Sequence, residues 1–492
     1  MSLTGRIDGV PSEIWHDEVL APQFAYEVEH LLPWYVAIEK VFLLEYARMG
    51  LVDADQAAAL AARWSTITAD SITADPRANM SDIAFALERY VADGPVRPFG
   101  AWHVDRSRND LQATAQRMFG RHQLIASAEA LTTFCRTTLA LAEQTTEVPM
   151  PGHTHLQAAQ VITPAFYLTA IVTETLRTLR RLSLTYDEVD ECPLGAGAMA
   201  GQELDWDRDR MARLLGFGRP VPHALVAVAS RGWALSMAAD LSGYATVVSR
   251  FATDLMMWGS AEFGYIDLPD QLSGISSAMP QKKNFPVLER IRGRSAHVAA
   301  YAVDLAMGQR STPYSNMVEV SKEAGAHLWD LLKTLGSTMR LFNTVMAHLR
   351  FRTERMRAAC EREYLGGFTL ANLLTLRAGV AWRTSQVIAG RYVVAASEAG
   401  RTPGQPDGAL LATLVSEHGI TVDKPEELLV EAFSVDNALR VKVSPGSTGP
   451  DPVRHLLAEQ QAELVRTEQL WAGRRQHIAT ALAELDAGFG VA

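Results

Sequence analysis

Short polar segments carry the residue types that chemistry needs, and they interrupt a chain that is otherwise apolar and helical in its patterning. The segment 103–112 reads His-Val-Asp-Arg-Ser-Arg-Asn-Asp-Leu-Gln. Its Arg106, Arg108 and Asn109 offer guanidinium forks and an amide, donors that match a carboxylate. Taken alone, the favoured reading is a solvated helix start capped by Ser or Asp. The segment 149–157, Pro-Met-Pro-Gly-His-Thr-His-Leu-Gln, places His153 and His155 in a Pro/Gly turn before a helix. No carboxylate or cysteine nearby completes a metal set. A general acid–base or an orienting imidazole suits the pair better, with surface loop histidines as the plain alternative. The segment 193–201, PLGAGAMAG, lacks the Lys-Ser/Thr of a phosphate loop and a preceding strand. Close backbone packing or a backbone anion nest fits it better. The segment 271–286, QLSGISSAMPQKKNFP, is a Ser/Gly loop followed at once by Lys282, Lys283 and Asn284. Such a loop can move and bring a serine beside cationic and amide donors; a flexible linker with solvated lysines is the alternative.

The elements that position these segments are long helices. Residues 163–191 have Thr163 as N-cap, Pro164 in the first turn and apolar residues Phe166, Ile171, Leu176, Leu179 and Leu182 at helical intervals. Residues 230–259 repeat Trp233, Met237, Leu241, Val248, Phe251, Leu255 and Trp258 with few charges between them. Apolar on more than one face, that helix must be surrounded by others. Further long helices are expected at 286–308 and 123–147. With little strand patterning, the fold class is all-α, a bundle, and faces this broad suggest a homo-oligomer. Domain limits fall near 110 and 362: an N-terminal helical domain at 1–110, a central bundle at 111–362 and a C-terminal helical domain at 363–492. The turn-rich RTPGQPDG at 401–408 has no functional reading.

Composition narrows the function classes. The chain has 492 residues, 48% hydrophobic and 21% charged, as in a globular protein. Lys+Arg minus Asp+Glu is 46 − 56 = −10, against a broad nucleic-acid footprint. The cysteines at 135, 192 and 360 form no CxxC pair, against a disulfide framework or a structural zinc site. The first residues lack the apolar core of a leader, and no apolar run reaches the ~18 residues of a membrane span. A cytoplasmic protein follows as the expectation.

Together the segments resemble a known family. SSAMPQKKN resembles the signature of the aspartase/fumarase superfamily, and HVDRSRND, PGHTHLQ and PLGAGAMAG resemble blocks of its argininosuccinate lyase branch, in the same order. Tyr314, Glu319 and Lys322 fall at that branch's Tyr, Gln and Lys spacing, and 367–391 resembles its C-terminal domain. The likeness runs over roughly residues 80–395. It implies three mostly helical domains, a twenty-helix core in a homotetramer, and active sites shared by three chains. It also implies a carbon–nitrogen lyase that releases fumarate from an N-succinyl amine by anti β-elimination, without metal or cofactor. By resemblance Ser276 is the general base, His155 orients the substrate or handles protons at the leaving nitrogen, and Lys282 and Asn284 stabilise the aci-carboxylate. Thr154, Arg108 and Asn109 hold carboxylates, and Gln157, Tyr314, Glu319 and Lys322 complete the substrate contacts. His153 stands where the family often has Tyr and is given no role. The KKN after MPQ and the SRND block lean toward the argininosuccinate branch rather than adenylosuccinate lyase; fumarase or aspartase would also use these blocks, and the intact catalytic set argues against a crystallin role.

Departures from the pattern gather on amine recognition. Glu319 replaces a glutamine, Ala84 a substrate-contacting histidine, Val226 an aspartate, Asp105 and Ile275 glycines, and Phe285 a proline. These point to an amine other than arginine, with the ethylenediamine-disuccinate type of lyase as the concrete case and argininosuccinate cleavage as the alternative.

Overall fold

The computed structural model describes residues 9–489. The opening segment, whose lack of an apolar leader core was noted above, lies outside the described residues. The first helices are short. α1 (Ala21–His30) and α2 (Leu32–Arg48) pack with α3 (Ile83–Ala92) around Phe24, Tyr35, Ile38, Phe42, Tyr46 and Leu87. α3 starts where the Asp82 carboxylate accepts the Ala84 N–H at 2.9 Å, an ordinary N-cap.

α4 (Arg108–Glu143) begins far earlier than the 123–147 stretch expected from periodicity. The reason is visible in its first turns. Asp110, Arg117 and Arg121 are charged yet buried, because their partners lie on other elements. Apolar periodicity cannot register a helix that buries charges. Ser107 caps it, its Oγ accepting the Asn109 N–H at 3.2 Å.

A second departure follows. The segment read as a Pro/Gly turn is an antiparallel hairpin, β1 (Met150–Thr154) and β2 (Gln157–Ile162). α5 (Pro164–Val189) then starts as its sequence predicts: the Thr163 Oγ1 accepts the Phe166 N–H at 3.1 Å and Pro164 takes the first helical position. α6 (Gly232–Trp258) and α7 (Pro286–Gln309) also match their expected spans, and α8 (Leu328–His348) completes the central body. These long helices share one apolar cluster that includes Phe134, Leu176, Trp233, Tyr244, Leu255 and Phe342. All β structure among the described residues is in two-stranded pairings, so the fold is all-α in class.

α9 (Gly367–Ala378), α10 (Trp382–Glu398), α11 (Gly408–Ser416) and α12 (Pro425–Phe433) enclose a cluster of their own around Leu370, Ile388, Tyr392, Leu411 and Leu429. α13 (Pro450–Ala487) instead returns along α4 and α5 and sends Leu457, Leu464 and Trp471 into the central cluster. The segment 363–489 therefore serves several apolar clusters: Val435, Ala438 and Leu439 also join Val161 and Cys360, and Leu485 joins the N-terminal helices. The 401–408 stretch is the connection between α10 and α11. No helix of the described residues is long and apolar enough to cross a membrane.

Close helix packing makes one glycine indispensable. A Cβ on Gly120 of α4 would fall inside the Trp233 ring of α6. Helix propensity alone favours Ala over Gly by ~1 kcal/mol, whereas overpacking costs about 1–3 kcal/mol. Gly120→Ala is therefore expected to lower the thermal midpoint, and a midpoint equal to or above wild type would show that α4 and α6 are not in this contact.

Candidate active site

The site is built from helix ends and the loops that join them. At the start of α4, Arg108 is exposed over half its side chain and donates to the Asp82 Oδ2 at 2.7 Å. Asp82 thus caps α3 with one oxygen and orients Arg108 with the other. Asn109 donates from Nδ2 to the Ala198 carbonyl at 3.0 Å, tying α4 to the glycine-rich loop. Arg106, a candidate donor by sequence, is not free: its side chain is buried, forked onto the Glu39 carboxylate and laid over the Phe42 ring. The glycine-rich loop is a nest for an anion, but the anion is the protein's own. The N–H groups of Gly195 and Gly197 both donate to the Asp110 Oδ2 at 3.0 Å. Gly195 and Gly197 have φ of 84° and 63°, a region glycine enters without penalty. Asp105, where the family pattern has glycine, has φ 57°. It holds that strained backbone by accepting the Glu203 and Leu204 N–H groups at 2.8 Å and the Trp206 Nε1–H at 2.9 Å.

Thr154, His155 and Gln157 sit together at the exposed tip of the β1–β2 hairpin. The two residues at the turn, His155 and Leu156, have φ of 53° and 62°. Such turns favour Asn-Gly, so a histidine and a leucine there are held against their preference, as functional groups often are. His153 points away, its ring edge-on to Phe263 at 5.5 Å, consistent with giving it no role.

The serine-bearing loop is pinned at its base. Gly274 and Asn284 form a two-bond antiparallel bridge, N–H to carbonyl at 2.9 and 3.0 Å. Between them Ser276 is half-buried and its Oγ accepts the Met279 N–H at 3.1 Å. The paired lysines divide their work: Lys283 binds Asp267 and Asp270, each at 3.2 Å, while Lys282 is exposed and has no acid partner among the described residues. Ile275, where the pattern has glycine, is 93% exposed. Phe285 packs against the Gly259 backbone at the end of α6.

Tyr314 and Glu319 are exposed, and Lys322 is paired with the buried Glu27 of α1. Gln116 of α4 donates to the Ser321 carbonyl at 2.7 Å, which places this turn at the α4 start. The candidates therefore fall into two groups. Arg108, Asn109 and Lys322 lie at one end of the bundle, with Glu319 in the same turn as Lys322. Thr154, His155, Gln157, Ser276, Lys282 and Asn284 lie at the other. The 36 residues of α4 separate Arg108 from the hairpin by ~54 Å, and the 24 residues of α7 separate the serine loop from the Lys322 turn by ~36 Å. One chain does not bring the whole set together.

Known proteins carry the same arrangement of sequence. A model of a lyase family matches residues 53–300, half of the chain. An argininosuccinate lyase of Methanothrix thermoacetophila is 31% identical over 83% of each chain. Argininosuccinate lyase 1 of Shouchella clausii is 27% identical over 97% of each. The chain belongs to this lyase family, in the argininosuccinate lyase branch of the aspartase/fumarase superfamily. It is a carbon–nitrogen lyase. A solved EDDS lyase variant with bound fumarate shares its fold, with a TM-score of 0.84 over 98% of this chain and 96% of that one, at 23% identity.

Sequence reasoning missed the acids that hold the cations of this lyase, Asp82 and Glu27. The signal for Asp82 was its place directly before an apolar helix run; Glu27 had none. Burial raises the Glu27 carboxyl, with Lys322 opposing and Asp82 adding to the rise. Burial also pushes the Asp110 carboxyl up to about 7, against the lowering effect of its glycine N–H partners. Beside Arg106, burial pushes Glu88 up to about 7, with Glu39 adding to it. His103, 3.5 Å from Glu88, is pushed far down by burial and by Arg106, so that contact is not an ion pair near neutrality. Among the described residues no group of three or more His, Cys, Asp or Glu is placed to hold a metal.

The Glu88 shift has a defined sign. Its folded carboxyl binds the proton more tightly than the unfolded one, so its contribution to stability is full below about 4.5 and is lost as pH rises through about 7. The thermal midpoint of wild type minus that of Glu88→Gln is expected to fall across this window. A difference that is flat or rises with pH contradicts the assignment.

Proposed function

We propose that this lyase cleaves an N-succinyl amine by anti β-elimination to fumarate and a free amine, and that the amine is a diamine or another compact cation rather than arginine. The observation that carries the chemistry is the division between the lysines: Lys283 is held by two aspartates, while Lys282, in the same loop as Ser276 and Asn284, is exposed and has no acid partner among the described residues. The proton to be removed lies next to a carboxylate and is weakly acidic. Its loss makes a doubly negative aci-carboxylate that needs preorganised cations and donors, the role proposed for Lys282 and Asn284. Ser276 is the proposed base. The Met279 N–H donates to its oxygen, an interaction that favours an alkoxide, and loop closure would add cations and exclude water. Thr154, Arg108 and Asn109 hold carboxylates, His155 serves the leaving nitrogen, and Gln157, Tyr314 and Lys322 complete the pocket. The scheme uses no metal and no redox cofactor.

The wide separation of the two residue groups supports sites assembled from several chains. We propose a cytoplasmic homotetramer in which α4 to α8 of each copy build a twenty-helix core, with domain limits near 110 and 362. On the amine side, Glu319 presents an exposed carboxylate in the same turn as Lys322, where the family pattern has a neutral amide. A carboxylate there favours a cationic amine. Cleavage of argininosuccinate is the second reading, favoured by what the sequence relatives are named.

Fumarate absorbance tests both halves. Ser276→Ala is expected to lose about a thousandfold or more in kcat with the assembly intact; near-normal turnover removes Ser276 from the mechanism. Lys282→Met should raise KM and lower kcat together. With fumarate and an amine panel, diamines should be consumed and Glu319→Gln should weaken that reaction. Efficient argininosuccinate cleavage without diamine addition replaces the first reading by the second.

A further inference from the structure

We propose that Asp105 is a positioning residue: it clamps one leg of the glycine-rich loop and thereby fixes the Asn109 amide for a substrate carboxylate. The loop runs from Gly195 to Leu204, and its residues 198–201, 203 and 204 are exposed. One backbone bond closes its tip, from the Gly201 N–H to the Ala196 carbonyl at 3.0 Å. Residues 105–110 hold it from outside at three places. Asp110 accepts the Gly195 and Gly197 N–H groups on the first leg, at 3.0 Å each. Asp105 accepts the Glu203 and Leu204 N–H groups on the second leg, at 2.8 Å each. Between the legs, the Ala198 carbonyl accepts from the Asn109 Nδ2 at 3.0 Å. An amide nitrogen carries two hydrogens. The bond to Ala198 uses one and thereby sets the direction of the other.

Asp105 grips the second leg with its backbone as well. The Gln202 Nε2 donates to the Asp105 carbonyl at 2.6 Å. Its Oδ2 takes the Trp206 Nε1–H at 2.9 Å besides the two backbone N–H groups, and bonds to a carboxylate are stronger than neutral ones. The residue stands on a firm base, because α2 holds both its neighbours. The Tyr46 Oη donates to the Val104 carbonyl at 3.0 Å, and Arg106 is forked onto Glu39. Trp206 is buried edge-on against Phe42 and Tyr46 of the same helix, with ring centroids 5.4 and 5.2 Å apart. A φ of 57° is free for glycine and disfavoured for aspartate, so the clamp offsets a local strain. The family pattern has glycine here, with no side chain to accept a hydrogen bond, so the clamp belongs to this chain. The inference rests on the proposed role of Asn109 in holding a carboxylate, and not on the identity of the amine.

Calorimetric titration of the assembled enzyme with fumarate tests the clamp. Asp105→Gly leaves the backbone free to keep its φ and removes the side-chain bonds. It is expected to weaken fumarate about fivefold or more. Asp105→Asn, whose amide oxygen can accept the same N–H groups, should recover most of that loss. In an Asn109→Ala background, Asp105→Gly should add less than about twofold, because it acts through Asn109; a residue that only stabilised the fold would add its full effect. If Asp105→Gly fails to assemble, Trp206→Phe takes its place. It loses one of the three donors, keeps an aromatic ring, and should weaken fumarate about twofold in the wild-type background and not in Asn109→Ala. Unchanged fumarate binding in Asp105→Gly, no recovery in Asp105→Asn, or full additivity with Asn109→Ala overturns the inference alone. If the wild type does not bind fumarate, or Asn109→Ala binds it unchanged, the carboxylate-holding role of Asn109 falls and the inference falls with it.

Discussion

The length of α4 governs everything else about this lyase. A continuous helix of 36 residues holds the Arg108–Asn109 pair and the His155 hairpin ~54 Å apart in one chain. A rigid helix cannot fold back, so no loop motion within the chain closes that gap. The polar first turns of α4 make this rod possible, because Asp110, Arg117 and Arg121 bury their charges against backbone groups at the end of α5 and in the segments that follow it.

Each candidate group is presented by a backbone that a neighbour restrains. Asp82 orients Arg108 while capping α3, and Glu27 orients Lys322. The Gly274–Asn284 bridge closes the serine loop at its base, and Asp267 and Asp270 draw Lys283 away from it. His155 is set on a left-handed turn at the hairpin tip. The common physical theme is that backbone strain and ion pairing restrain the candidate side chains, where an unconstrained loop would let them wander.

Apolar periodicity read α5, α6 and α7 closely, and the starts of α5 and α7 carry recognisable signals, Thr163 with Pro164 and Pro286. It failed at the first turns of α4 and at the hairpin. In α4 the buried residues are charged. In the hairpin, β2 runs Gln157–Ile162 with only Val161 buried, so it has no alternating apolar face. The four polar segments were legible because reactive residue types are rare in such a background, and their order carried the family resemblance. Arg106 was misread as a free donor because nothing local to it announces Glu39, which lies 67 positions away.

The chain of residue types therefore specifies the helical class, the family and which side chains are equipped for the chemistry, since those depend on local propensity and on spacing along the chain. It does not specify which of two neighbouring lysines is spent on a structural pair, that the glycine-rich nest is filled by Asp110, or that Arg106 is spent on Glu39. Those are matters of distance between groups far apart in sequence, and only packing in three dimensions sets such distances.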